Sequence, residues 1–125
     1  MSGRTAWIRR DIMAKLEKIT DRDFDGLLHS IEEGILEGSI SASLEDSSDF
    51  QSGDARCSVR VFERYSYMGG NRVSLSVTLF QSGNEPVHLS AITAGGSQAM
   101  FFKINEFGEE AFLDKLREIL QAAAG

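Results

Sequence analysis

Three consecutive stretches of the chain alternate apolar and polar side chains with a period of two, and this pattern limits the fold more than any other feature. Their apolar members are Cys57, Val59 and Val61; Val73, Leu75, Val77 and Leu79; and Val87, Leu89 and Ala91. Such alternation is typical of strands that are buried on one face only. Gly69, Gly70 and Asn71, and then Gly83 and Asn84, separate the stretches where hairpin turns are expected. The pattern predicts an antiparallel sheet whose buried face carries the listed residues, with Cys57 as a small core residue.

Two other segments repeat apolar residues every three or four positions, as amphipathic helices do. The first spans residues 21–37, and the second begins after Asn105. A fourth alternating stretch, with Ile40, Ala42 and Leu44, precedes a Ser- and Asp-rich loop predicted from Glu45 to Asp54. The order predicts an α+β two-layer sandwich, in which an N-terminal and a C-terminal helix pack on one face of a four-stranded antiparallel sheet. Residues 98–104 are a candidate fifth strand, and residues 13–19 suit a short strand or a helical turn.

Composition bounds the class of protein. The chain has 125 residues with one cysteine and one proline, which suits a single domain without a disulfide. Residues 1–12 are predicted to be a flexible N-terminal extension, and residues 13–125 a single α+β domain. A net charge of -6 argues against a nucleic-acid partner, and no apolar run is long enough to span a membrane. The lone Cys57 suits a reducing cytoplasm, so we expect a cytoplasmic protein.

The polar face of the predicted sheet is the main candidate site. If the hairpins pair as the pattern suggests, Arg60 and Arg64 share this face with Arg72 and His88. Arginines among hydroxyl groups suit an anionic small molecule, and the Gly95–Gly96 pair before Ser97 could turn backbone amides toward the same anion. The predicted binding residues are therefore Arg60, Arg64, Arg72, His88 and Ser97. The simpler interpretation is an ordinary solvated face.

The same face is predicted to carry large apolar groups, namely Phe62, Phe80 and Ile92. Three such groups among polar ones indicate a surface that a partner covers, and the pattern predicts a homodimer through the sheet face. No combination of residues predicts a catalytic site, a cofactor or a metal centre of clear spacing. We therefore expect a non-enzymatic binding or interaction module that self-associates. An anion- or metabolite-binding domain that uses the arginine and serine face, with or without catalysis, is the alternative.

One further alternative is calcium binding at the first helix. Acids at Asp21, Asp23 and Asp25, followed by Gly26 and Glu32, match the twelve-residue calcium loop of an EF-hand. The apolar stripe of the predicted helix runs through the same residues without a break, which opposes a loop. Acids at the start of a helix are the simpler interpretation.

Three segments of the chain resemble a family of small uncharacterised bacterial proteins, a domain of unknown function. They are SISASLEDSSDF (39–50), RCSVRVFERYSYMGGNRVSLSVTLF (56–80) and SAITAGGSQAMFFKINEFGEEAFLDKL (90–116). The resemblance covers most of the chain from Met13 onward. It implies a bacterial cytoplasmic protein with Met13 as the usual start, and it brings no activity, ligand or site residue with it.

Overall fold

The computed structural model describes residues 13–38, 41–66, 71–95 and 109–124. Within these ranges the chain forms five strands and two helices. Their bounds are β1 Met13–Thr20, α1 Phe24–Gly38, β2 Ser43–Ser52, β3 Ala55–Ser66, β4 Asn71–Ser82, β5 Val87–Gly95 and α2 Glu109–Ala124. None of the helices in the described ranges is long and apolar enough to cross a membrane.

All five strands form one antiparallel sheet in the order β1-β5-β4-β3-β2. The fifth strand is β1, whereas the candidate strand at 98–104 lies outside the described residues. The loop predicted from Glu45 to Asp54 is wrong, because most of it belongs to β2. That strand has ten exposed residues and lies at the sheet edge, paired on one side with β3. Because neither face of β2 is buried, apolar and polar side chains do not alternate along it.

The helices cover one face of the sheet, and the predicted two-layer α+β sandwich is confirmed. Asp23 caps α1, since its Oδ2 accepts a hydrogen bond of 2.8 Å from the Gly26 amide. The two helices contribute seven buried apolar residues, which are Phe24, Leu27, Ile31, Ile35, Phe112, Leu113 and Leu116. The alternate apolar residues of β4 and β5 face these helices and are buried, as predicted. They are Val73, Leu75, Val77 and Leu79, and Val87, Leu89 and Ala91. We call this side the covered face and the other side the open face.

Candidate functional site

The register of β3 reverses the predicted orientation of that strand. Residues directly opposite each other in an antiparallel pair lie on the same face. Arg60 is opposite Val77 and Phe62 is opposite Leu75, so both lie on the covered face with the core. Val59 and Val61 are opposite Thr78 and Ser76, on the open face. The prediction that the apolar series of β3 is buried is therefore wrong, and so is the core position of Cys57, which is half-buried on the open face.

Arg60 is held under the first helix by two carboxylates. Its side chain is only 10% exposed. Its Nε donates to Glu32 of α1 at 2.5 Å, and its Nη1 donates to Asp49 of β2 at 3.0 Å. Burial alone lowers the pKa of Arg60, but the hydrogen bonds to Glu32 and Asp49 outweigh it and raise the pKa above its ordinary value. Arg60 therefore joins α1, β3 and β2, and its charge is already neutralised within the chain.

Arg56, near the start of β3, forms a similar ion pair with Asp25 in the first turn of α1. It donates to both carboxylate oxygens of Asp25, at 2.8 and 3.3 Å, and lies 3.9 Å from the centroid of the Phe24 ring. Asp25 and Glu32 are two helical turns apart, about 10 Å. Arg56 and Arg60 are four strand residues apart, about 13 Å. This matching of acids and arginines is the signal in the sequence that could have revealed the orientation of β3.

The calcium-loop interpretation of this segment is wrong. Helix α1 begins at Phe24, so the part of the chain that should wrap around an ion is helical instead. Asp23 is the helix cap, and the carboxylates of Asp25 and Glu32 are bonded to arginines. In the ranges that the structure describes, no group of three or more His, Cys, Asp or Glu side chains is placed to hold a metal ion.

The Asp49→Asn variant is expected to lose a pH-dependent part of its stability. Hydrogen bonds from Ser58 (2.6 Å) and Arg60 hold the pKa of Asp49 below its ordinary value of 3.8. The ionised carboxylate therefore stabilises the fold above about pH 3.8, and this contribution is lost as the pH falls through the lower native pKa. Urea unfolding should show the wild type as more stable at neutral pH, with the difference shrinking below about pH 3.8. A difference that is constant down to about pH 2 would contradict the assignment.

The five predicted binding residues are not brought together. Arg60 and Arg64 lie on the covered face, where the Arg64 guanidinium is 4.7 Å from the Phe112 ring centroid and burial lowers its pKa. Arg72 and His88 lie on the open face, and Arg72 forms an ion pair with Glu63. Ser97 lies outside the described residues. The prediction of one polar field is therefore wrong, because β3 turns its arginines toward the helices.

The open face instead presents a row of side chains that crosses all five strands. The cross-strand partners in this row, which we call the end row, are Ile19, His88, Phe80, Cys57 and Phe50. Ile19 is 63% exposed, Phe50 59% and Phe80 42%. Three large apolar groups exposed within one row, rather than singly, are typical of contact surfaces. The predicted position of Phe80 on the uncovered side is correct, whereas Phe62 is fully buried in the core.

Two shallow grooves border the end row. The larger, of about 560 Å³, is lined by Ile19, Phe80 and His88 together with residues of the adjacent row. The smaller, of about 230 Å³, lies at the β2–β3 end and includes Phe50 and Cys57. Sequence reasoning missed Phe50 and Ile19. Phe50 fell in the predicted loop, and Ile19 fell in a stretch that suited either a strand or a helical turn.

Two further rows continue the open face next to the end row and carry little charge. The middle row is Glu17, Ser90, Thr78, Val59 and Ser48, and the third row is Lys15, Ile92, Ser76, Val61 and Asp46. Charged residues occur only on the outer strands β1 and β2 in these rows. The strands between them present hydroxyl and aliphatic groups. Low charge at the centre is typical of surfaces that proteins bury in contacts.

The fold and this surface define a small α+β domain with one covered and one open sheet face. The chain belongs to the Family of unknown function (DUF6054), whose model matches residues 13–124. This confirms the resemblance to a domain of unknown function. Among solved structures, the Ran-binding protein Mog1p of Saccharomyces cerevisiae is similar at 12% identity and a TM-score of 0.44, over 87% of this chain. The chain spans 63% of that structure's length. No curated protein matches the chain.

Proposed function

We propose that this chain is a protein-interaction module that works by binding, and that the open face is its contact surface. The observation that carries the proposal is the end row, in which Ile19, Phe80 and Phe50 are each more than 40% exposed across one continuous sheet face. Covering these groups with another protein removes apolar surface from water at about 25 cal/mol for each Å². Of the residues predicted to bind a ligand, Arg72 and His88 belong to this surface.

The arginine chemistry supports binding by the open face rather than anion capture on the covered face. Arg56 and Arg60 are each paired with carboxylates of this chain. An incoming anion has to displace Asp25, Glu32 or Asp49, and the displaced carboxylate then repels it. On the open face Arg72 is likewise paired with Glu63 of this chain. The centre of the three rows carries hydroxyl, aliphatic and aromatic groups, which suit a protein surface rather than an anion.

A photo-crosslinking amino acid at position 80 tests the proposal in living cells. Benzoylphenylalanine replaces the exposed Phe80 with a similar ring, and the matched control carries it at Glu33, an exposed position of α1. We expect a protein adduct from position 80 that excess unmodified chain suppresses, and no such adduct from position 33. The absence of an adduct from position 80, with the variant folded by circular dichroism, would overturn the proposed function.

A further inference from the structure

We propose that the occupant of the open face is a second copy of this chain, docked around a two-fold axis that runs along β4. This inference rests on the proposed function and names its partner. The sheet order β1-β5-β4-β3-β2 makes β4 the central strand. A two-fold axis that runs parallel to β4 between the copies places β4 of one copy against β4 of the other. It places β5 of each copy against the partner's β3, and β1 against the partner's β2, with each row at the same level. Strands in the two sheets stay aligned, as in common sheet sandwiches.

This arrangement matches apolar groups across the interface in the end row and in the third row, while Val59 of the middle row faces the partner's Ser90. In the end row, Ile19 faces the partner's Phe50, and Phe80 faces its own copy at the axis. In the third row, Ile92 faces the partner's Val61. Each of these side chains is exposed or half-exposed in the single chain. Aromatic pairs at such a centre add about 0.5–1.5 kcal/mol to the gain from burial.

The charges of the outer strands are also self-complementary. Lys15 on β1 occupies the third row opposite the partner's Asp46 on β2, and symmetry repeats the pair. Glu17 in the middle row faces the partner's Ser48, so like charges are not opposed. Glu63 is already paired with Arg72 in its own chain. Electrostatic complementarity favours this register, because it places Asp46 of each copy against Lys15 of the other.

The distribution of charge over the whole chain favours the same face for self-association. The net charge is -6, and residues 21–53 alone carry nine acidic side chains against one arginine. Helix α1 and the edge of β2 therefore repel a second copy. The three rows of the open face carry Lys15, Glu17 and Asp46, a net charge of -1. The open face is thus where two acidic chains approach at the lowest electrostatic cost.

The size of the face suits a specific dimer. Five strands about 4.8 Å apart, with about eight residues each at 3.3 Å, outline roughly 600 Å². Side chains standing on this outline increase its accessible area, and a standard interface buries about 800 Å² on each partner. The open face therefore supplies the area of a stable interface without help from the helices.

A charge-swap cycle tests the pairing by sedimentation velocity. We expect the wild type to sediment as a dimer at about 100 μM, and Lys15→Asp or Asp46→Lys alone to weaken the dimer about tenfold. The double variant, with both changes, is expected to recover dimerisation to within about threefold of the wild type. Glu37→Lys on the exposed side of α1 makes the same charge change as Asp46→Lys away from the face and should leave the dimer intact.

A second variant tests the axis itself. Phe80→Glu places two carboxylates against each other at the two-fold, so we expect a monomer that keeps the wild-type circular dichroism spectrum. Failure of the double swap to restore the dimer overturns the two-fold pairing. A wild type that is monomeric while position 80 crosslinks a different protein overturns the second copy as occupant and leaves the proposed function standing. A wild type that is monomeric, together with no crosslinked adduct from position 80, overturns both proposals.

Discussion

Replacing Phe62 by alanine is expected to lower the free energy of unfolding by about 3–5 kcal/mol. Phe62 is completely buried and lies between its cross-strand partners Leu44 and Leu75 beneath the helices. Alanine removes the ring and leaves a cavity that the surrounding residues only partly fill. Because β3 joins β2 to the rest of the sheet, the loss should appear as a shift of the whole unfolding transition, measured by urea denaturation.

Val61→Ala is the matched control for this experiment. Val61 directly precedes Phe62 in β3 and lies half-buried on the open face, opposite Ser76. Its truncation should cost up to about 1 kcal/mol in the monomer, since water already reaches the side chain. If Val61→Ala cost more than Phe62→Ala, the orientation of β3 would be the reverse of the one described, with Arg60 and Phe62 on the open face.

The error over β3 shows what alternation can and cannot predict. A period of two correctly separates the residues of a strand into two faces, and for β4 and β5 the apolar series is the buried one. In β3 both sets of alternate residues contain large apolar groups. The usual preference of arginine for water therefore decides the predicted orientation, with Arg56 and Arg60 toward solvent. The acids of α1 reverse that preference, because they neutralise Arg56 and Arg60 where the helix covers the sheet. Such compensation depends on tertiary pairing and is not visible within the strand.

The candidate surface was predictable in part for the same reason. The hairpins and the position of Phe80, Ile92 and His88 on one face follow from the alternation of β4 and β5. Ile19 and Phe50 join them only through β1 and β2, which pair at the two edges of the sheet. Edge strands need a hydrogen-bonding neighbour on one side only, and charged or polar side chains protect them from aggregation. Their sequences therefore resemble loops, as the Ser- and Asp-rich β2 does.

Gly95→Ala is expected to destabilise the fold by about 3 kcal/mol. Gly95 ends β5 with a φ of 111° and pairs with Val73 at the start of β4. A β-carbon there would lie 2.5 Å from the carbonyl oxygen of Arg72 and 3.3 Å from Cα of Val73. Both atoms belong to the backbone, so relief of the contact requires β4 and β5 to move apart where they pair.

Gly53→Ala separates the backbone conformation from this steric contact. Gly53 also has a positive φ, 60°, in the turn between β2 and β3, but an added β-carbon meets no atom within 4 Å. It should therefore cost only about 1 kcal/mol, the ordinary penalty of the left-handed region. Equal losses for the two variants in urea denaturation would contradict the close approach of β5 to Arg72. A larger loss at Gly95 means that the close approach of β5 to the Arg72 carbonyl, and not the positive φ alone, requires glycine at this position.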